Sequence, residues 1–112
     1  MSREYEIQIA NTIVQQIPVM EKMAVGYRNH YAMSESEDRL GGLSFQVNKG
    51  RRYVDVELAH NDTYTVKYYR VRKTKTSIDH VTLAEASNVY CDDLGVFIYD
   101  MTQKTDEFNK SN

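Results

Sequence analysis

The sequence has no long apolar run, a single cysteine, a single proline and no tryptophan. A membrane-spanning helix needs about 20 consecutive apolar residues, so we expect no membrane partner. The lone Cys91 cannot form an internal disulfide, and the charged start MSREYEIQ does not match a secretory signal. Together these absences favour a cytoplasmic protein.

The motifs that mark common enzyme and cofactor sites are also missing. The chain contains no GxGxxG, GxxxxGKS, GxxxxGKT, GxSxG or EF-hand pattern, and His30, His60 and His80 lack metal-ligand spacing. Asp92 and Asp93 are interpreted as part of a solvated helix face. We therefore expect a protein that is not an enzyme, with no catalytic residue, cofactor or metal. An active site scattered along the chain would leave no such pattern.

The charge of the chain is unevenly distributed. Its 112 residues are expected to form a single domain with a net charge of −2. Residues 1–48 carry −2, residues 49–75 carry +5 and residues 76–112 carry −5. The acidic C-terminal segment could neutralise the basic stretch within one fold. Alternatively, the basic stretch forms a surface for an anionic partner.

The stretch Arg51–Lys73 predicts a β-hairpin. Both of its halves alternate with the period of two that is typical of strands buried on one face. A three-residue loop, His60–Asp62, keeps both apolar sets on the same face, whereas a two-residue loop does not. This register predicts the cross-strand pairs Leu58–Tyr64, Val56–Val66, Val54–Tyr68, Asp55–Lys67 and Tyr53–Tyr69.

Three segments precede this hairpin. Leu43–Val47 alternates as another strand, and a four-residue loop, Asn48–Arg51, would pair Val47 with Arg52 and Phe45 with Val54. The ambiguous segment Val19–Tyr27 suits a first strand, with its methionines Met20 and Met23 filling the core. The polar segment Ser34–Gly42 is expected to be a mobile surface loop.

Two amphipathic helices are predicted. The first spans Glu4–Gln16 and is ended by Pro18, and its apolar face comprises Ile7, Ala10, Ile13, Val14 and Ile17. After a polar connection, the second lies between Leu83 and Lys104 and includes a semi-buried Cys91. A frayed tail is expected at residues 106–112. The apolar stripe of the second helix comprises Ala86, Val89, Tyr90, Leu94, Phe97, Ile98 and Met101.

This order of elements predicts an α+β fold. We expect an antiparallel meander of three to four strands, with the N-terminal and C-terminal helices packed on one face. Six residues, four on the apolar side of the strands and two on the apolar stripe of the second helix, should share a core. They are Phe45, Val54, Val56, Val66, Leu94 and Phe97.

The basic, tyrosine-rich hairpin is the candidate binding surface. Tyrosine stacks on bases and Arg or Lys neutralises phosphates in nucleic-acid binders, but Tyr and Arg are also enriched in protein–protein interfaces. The pI of about 5.9 and the absence of an RNP1-like motif favour a protein partner over nucleic acid. The candidate binding residues are Arg51, Arg52, Tyr53, Lys67, Tyr69, Arg70, Arg72 and Lys73.

A homodimer is a further expectation. Helices on one sheet face would leave Tyr53, Thr65, Tyr69 and Val71 on the other. An aromatic and apolar patch of this kind often marks an interface, and small homo-oligomers are mostly two-fold dimers. The alternative is a monomer with scattered tyrosines.

Several short segments resemble a family of small phage and mobile-element proteins. They are ANTIVQQI at residues 10–17, LSF at 43–45, DTYTV at 62–66, RVR at 70–72 and VYCDDL at 89–94. The resemblance covers most of the chain, except that Pro18 replaces the glycine-rich helix end of the family pattern. It brings no catalytic residues. It implies a phage or mobile-element origin, a bacterial host cytoplasm, and action by binding, either as a host-defence inhibitor or as a nucleic-acid accessory.

Overall fold

The computed structural model describes residues 3–111, and the side chains of residues 3–103. Five antiparallel strands form one sheet in chain order, and three α-helices accompany it. The elements are α1 (Arg3–Gln16), α2 (Val19–Val25), β1 (Arg28–Met33), β2 (Gly41–Val47), β3 (Arg52–Leu58), β4 (Tyr64–Lys73), β5 (Ile78–Val89) and α3 (Leu94–Ser111). The predicted α+β class is therefore confirmed, with five strands instead of three to four.

The predicted registers of the two central hairpins are confirmed. Strands β3 and β4 pair Leu58 with Tyr64 and Val56 with Val66, and the three residues of the tight loop lie between Ala59 and Thr63. Strands β2 and β3 pair as predicted from Val47 and Arg52 onwards. Both registers follow from the need to keep one face of the sheet apolar.

One face of the sheet carries the core. Phe45, Val54, Val56 and Val66 are buried there together with residues of α1 and α3, so both helices cover the same face. The predicted face of α1 is partly wrong, because Ile7 is exposed and Ile9 is buried in its place. The buried positions of α1 are Glu6, Ile9, Ala10 and Ile13.

The segment after Pro18 is a helix, not the predicted strand. Proline fixes φ near the helical value, and Pro18, at φ −61°, immediately precedes α2. Gly26, at φ 73°, caps the C-terminal end of α2. Met20 and Met23 are 82% and 78% exposed, so they do not fill the core as predicted.

The loop predicted at Ser34–Gly42 is shorter in the structure. Residues 28–33 form the edge strand β1, and a bridge between Ser36 and Arg39 closes a tight turn. Gly41 and Gly42 belong to β2 and are buried. A side chain at Gly42 would collide with the carbonyl oxygen of Val56, which explains the glycine at the second position of β2.

The segment predicted as a connection and the start of a helix is the longest strand. A turn at residues 74–77 leads into β5, which pairs with β4 along most of its length through two bulges. Ala86 and Val89 fit a helical stripe, but they also fit the core side of this bulged strand, where Ala86 faces Val66. The backbone of α3 is helical through Ser111, so the predicted tail is helical to that residue, and Asn112 lies outside the described residues.

The buried face of α3 is rotated relative to the prediction. Leu94 and Ile98 are fully buried, whereas Phe97 is 41% exposed. Phe97 is thus the one wrong member of the predicted core. Gly95 lies against Pro18, where a Cβ atom would come within 2.6 Å of the proline ring, and this close approach packs α3 on α2.

Replacing Ile98 by alanine should lower the free energy of unfolding by about 2–5 kcal/mol, because the change leaves a cavity in the core. The matched variant Phe97→Ala should cost clearly less, since its side chain is partly solvated already. Urea unfolding followed by circular dichroism measures both values. Equal losses would mean that α3 packs in a different rotation.

Candidate functional site

The hairpin of β4 and β5 projects beyond the rest of the sheet. Strand β3 begins at Arg52, and its ladder with β4 ends at the pair Tyr53–Tyr69. Beyond that pair, β4 and β5 continue as a two-stranded ribbon as far as Lys73 and Ile78. We call residues 70–81 the arm. It includes Arg70 and Arg72, which lie on the helix-side face of the ribbon.

The alternating turns of the meander gather the positive charge at one end of the sheet. The start of β1, the β2–β3 turn and the arm all lie at this end. We call their cations the basic end: Arg28, Lys49, Arg51, Arg52, Arg70, Arg72, Lys73 and Lys75. Within these segments the one acidic residue is Asp79, whose carboxylate lies 3.5 Å from the Arg72 guanidinium.

Six acidic residues lie at the opposite end. The β1–β2 turn, the β3–β4 turn and the segment after β5 meet there. We call their carboxylates the acidic end: Glu35, Glu37, Asp38, Asp62, Asp92 and Asp93. Residues 76–103 therefore neutralise the basic stretch only in part: Asp79 pairs with Arg72 and Glu85 lies opposite Lys67, whereas Asp92 and Asp93 lie across the sheet from it.

Aromatic rings form a stack on the face of the sheet that the helices leave open, the open face. The rings of Tyr53 and Tyr69 stack at 5.4 Å, and those of Tyr69 and His80 at 4.9 Å, each pair 15° from parallel. Tyr69 is only 6% exposed. Tyr69 stacks on both of the other rings, so it offers no free platform for a base.

A buried hydrogen-bond network fixes this stack. The hydroxyls of Ser44 and Tyr69 both donate to Asp55 Oδ1, at 2.6 and 3.0 Å. Burial raises the pKa of Asp55, although these hydrogen bonds oppose the shift. Burial, together with the nearby Asp55 charge, raises the pKa of Tyr69 strongly. Burial and the Asp55 charge therefore keep the Tyr69 hydroxyl protonated, so that it remains a hydrogen-bond donor.

A second network lies beside the first and uses Lys67. Glu57 accepts from Arg39 at 2.7 Å and contacts Lys67 Nζ at 3.0 Å. Burial alone would raise the pKa of Glu57, but the hydrogen bonds from the two cations outweigh it and leave that pKa lowered. The hydrogen bond from Lys67 to Glu57 raises the pKa of Lys67. Lys67 is thus engaged within the fold.

The structure divides the predicted binding residues into two groups. Arg51, Arg52, Arg70, Arg72 and Lys73 lie together at the basic end. The other three, Tyr53, Lys67 and Tyr69, lie on the open face and contact their neighbours there. The candidate binding residues predicted from the sequence do not include Arg28, Lys49 or Lys75. Their membership depends on the turns of the meander, which bring distant segments to one end.

The open face lacks the apolar patch on which the predicted dimer depended. Its centre holds the polar and charged side chains of Asp55, Glu57 and Lys67, and Tyr69 is buried among them. Val71 and Thr65 are partly buried. A two-fold contact through this face would have to cover ion pairs that are already satisfied, which contributes little.

The acidic end contains a groove of about 380 Å³ between α1, the β3–β4 turn and the segment after β5. Tyr64, whose hydroxyl donates to Gln16 Oε1 at 2.6 Å, lines it together with Tyr90 and Cys91. Cys91 is exposed in the short 3-10 segment Cys91–Asp93, so it is not the semi-buried helix residue that we predicted. No local sequence pattern indicates this groove, because its walls come from segments far apart in the chain.

Among residues 3–111, no helix is long and apolar enough to cross a membrane. Among residues 3–103, whose side chains the structure describes, no group of three or more His, Cys, Asp and Glu side chains could hold a metal ion. His30 accepts or donates a 2.7 Å hydrogen bond with the Tyr27 hydroxyl, His60 contacts the Glu37 carbonyl oxygen at 3.0 Å, and His80 belongs to the aromatic stack.

No protein-family model matches this chain, and neither a curated protein nor a solved structure matches it significantly.

The Glu57 network should make stability depend on acidity. Because the folded pKa of Glu57 lies below its ordinary value of 4.5, the stabilisation is complete at neutral pH and is lost as the pH falls through the folded pKa. Glu57→Gln should therefore lower the free energy of unfolding by about 1–2 kcal/mol at pH 7, allowing for the exposure of Lys67. Its effect at pH 3 should be smaller.

Urea unfolding at the two pH values measures this difference. The control is Glu37→Gln in the exposed β1–β2 turn, which should stay within about 0.5 kcal/mol of the unchanged protein at both. An equal loss for Glu57→Gln at both pH values would contradict the assigned ion pairs.

Proposed function

We propose that this protein is a non-enzymatic binding module whose basic end contacts an acidic surface of a protein partner. The observation that carries the proposal is the separation of charge along the sheet. Eight Lys and Arg residues from three segments lie at one end, with a single carboxylate among them. A concentrated field of this kind accelerates and orients association with an oppositely charged surface.

An exposed apolar side chain on the arm also favours a protein partner. Ile78, at the base of the arm turn, is 66% exposed beside Lys73. Protein interfaces combine a desolvated apolar centre with a charged rim, and arginine is enriched in them. Tyr69, which stacks on both Tyr53 and His80, lacks the free ring face that single-strand binders offer to bases.

Nucleic acid is the second candidate partner, and the shape of the arm favours it. A two-stranded ribbon can enter a groove of duplex DNA, with its cations contacting the phosphates. Arg70, Arg72, Lys73 and Lys75 would be available for this. The acidic end repels a long polyanion, which is why we place this candidate second.

The open face offers little support for catalysis. Its hydroxyl–carboxylate pair, Ser44 and Asp55, resembles a fragment of a nucleophilic site. Ser44 is fully buried, however, so its hydroxyl cannot reach a substrate without a rearrangement of the sheet. This geometry suits a structural network.

The biological setting is part of the same proposal. The short segments that resemble those of small phage and mobile-element proteins support an origin of that kind and a bacterial cytoplasm as the place of action. A host-defence inhibitor acts by covering a functional surface of its target. A basic end with a projecting arm would suit a target whose functional surface is acidic.

Capture of a partner should depend on the arm. Immobilised protein is mixed with host lysate, with and without nuclease treatment in parallel, and the bound protein is compared with that held by Arg70→Ala/Arg72→Ala, which should retain at least tenfold less. The control is Asn11→Asp/Gln15→Glu on the exposed side of α1, which changes net charge by the same amount. Equal capture by the arm variant, or a band that disappears with nuclease, would contradict the proposal.

Oligonucleotides should bind weakly. In fluorescence-anisotropy titrations at physiological salt, we expect dissociation constants above about 10 µM, weaker than the range of specific DNA binders. Sub-micromolar binding would make nucleic acid the leading candidate partner, ahead of a protein. In that case Arg70→Ala/Arg72→Ala should reduce the log–log salt slope by about one to one and a half, since each phosphate contact on a single strand contributes about 0.7.

A further inference from the structure

The groove at the acidic end is built from three segments that are far apart in the chain. The β3–β4 turn and the segment after β5 form two of its walls. Its volume of about 380 Å³ lies within the range of small-ligand sites, roughly 300–1,000 Å³, so it can hold a long side chain. The third wall is a row of α1 side chains at helical spacings of three and four, namely Tyr5, Gln8, Thr12 and Gln16.

The buried tyrosine of the groove acts as a hydrogen-bond acceptor toward a ligand. Tyr64 is only 6% exposed, and its hydroxyl donates to Gln16 Oε1 at 2.6 Å. Burial raises the pKa of Tyr64, and the nearby Cys91 and Asp62 side chains add to the shift, so the hydroxyl stays protonated. A tyrosine hydroxyl has a single proton, and here that proton is already used. A ligand that bonds this oxygen must therefore bring a donor.

The charge of the groove selects a cation. The wall segments 4–16, 58–64 and 87–93 contain no lysine or arginine. Asp62 belongs to the lining, and Asp92 and Asp93 directly follow the lining residue Cys91. Within the part of the chain whose side chains the structure describes, these three aspartates form no ion pair. Uncompensated carboxylates beside a cavity attract cations and repel anions.

The aromatic and apolar lining narrows the choice of cation to arginine. Tyr5 and Tyr90 line the groove and are exposed. A guanidinium stacks on a tyrosine ring and pairs with a carboxylate through two hydrogen bonds, whereas an ammonium is a strongly hydrated point charge. Ile9 and Leu58 add apolar surface that suits the aliphatic stem of an arginine side chain.

We propose that this groove binds an arginine side chain of a partner polypeptide, with the guanidinium near Asp62 and Tyr90 and its stem along the apolar lining. The site lies at the opposite end of the sheet from the basic end and shares no residue with it. The inference does not depend on the proposed function, because loss of arginine binding would leave the basic end available to an acidic surface.

The single thiol of the chain reports whether the groove is occupied. Cys91 is exposed and lines the groove, so a bound peptide should slow its reaction with iodoacetamide, a neutral reagent. The probe is the blocked tetrapeptide acetyl-Ala-Arg-Leu-Ala-amide. Its control carries citrulline in place of arginine, which keeps the shape and removes the charge. The arginine peptide should protect the thiol saturably, and the citrulline peptide should bind at least tenfold more weakly, because charge-assisted hydrogen bonds are about twice as strong as neutral ones.

Asp62→Asn tests the carboxylate. Asp62 has φ 70°, which asparagine also tolerates, so the turn should be retained. This variant should bind the arginine peptide about tenfold more weakly and the citrulline peptide unchanged. Tyr90→Leu should weaken the arginine peptide severalfold by removing the ring. The matched control, Asp38→Asn, removes the same charge from the exposed β1–β2 turn outside the lining and should retain full binding.

The thiol protection of each variant is measured against its own rate without peptide, and urea unfolding confirms that the variants are folded. Amide NMR shifts of residues 59–64 and 88–92 detect a peptide that binds without covering the thiol. Absence of both responses, equal binding of the two peptides, or an equal loss for Asp38→Asn would overturn the proposal. So would a Cys91 reaction that slows with rising protein concentration in the absence of peptide, because a second copy would then occupy the groove.

Discussion

The register between β3 and β4 is the constraint on which the rest of this structure depends. It places Val54 and Val56 on the side of the helices and Asp55 and Glu57 on the other side. A slip by one residue would exchange these sets, bury both carboxylates in the core and expose the valines. The same register fixes where each turn lies, because turns in a meander alternate between the two ends of the sheet. The separation of basic and acidic ends is thus a consequence of strand pairing, although the sequence shows it only as blocks of charge.

The open face shows why residue type alone is a poor guide to a binding site. Tyr53, Lys67 and Tyr69 have the composition of a nucleic-acid or protein interface, yet each contacts a neighbour in the fold. A buried carboxylate needs donors, and a half-covered sheet face needs large side chains to exclude water from them. The tyrosines and Lys67 meet both needs. The cations of the basic end lie away from the open face, on turns, at strand starts and on the arm, where Arg72 pairs with Asp79 at 3.5 Å.

Sequence patterns predicted the parts of this fold that depend on short connections. The loops between β2, β3 and β4 are tight, so alternation on either side determines the register, and all of those pairs are as expected. The strand β5 was missed because its bulges break the period of two, and Ala86 and Val89 then match a helical stripe that continues into α3. The helix α2 was missed because a segment of seven residues gives too little periodicity. Phe97 was wrongly assigned to the core because it is next to the buried Ile98, and neighbouring side chains on a helix differ in direction by only about 100°. Of the eight cations at the basic end, five were among the binding residues predicted from the sequence. The sequence did not show that the eight lie together, because the topology of the sheet determines it.

Every strand of the sheet pairs with its neighbour in the chain, whereas the contact of Gly95 with Pro18 joins segments that are far apart in sequence. Local pairings form with little loss of chain entropy, and distant ones form after the intervening chain is ordered. The sheet can therefore assemble hairpin by hairpin during folding, and we expect the docking of α3 on α2 to follow it. The same contact should be the first to open in the native state, so that amide hydrogens of α3 exchange with solvent through a partial unfolding that leaves β2, β3 and β4 intact.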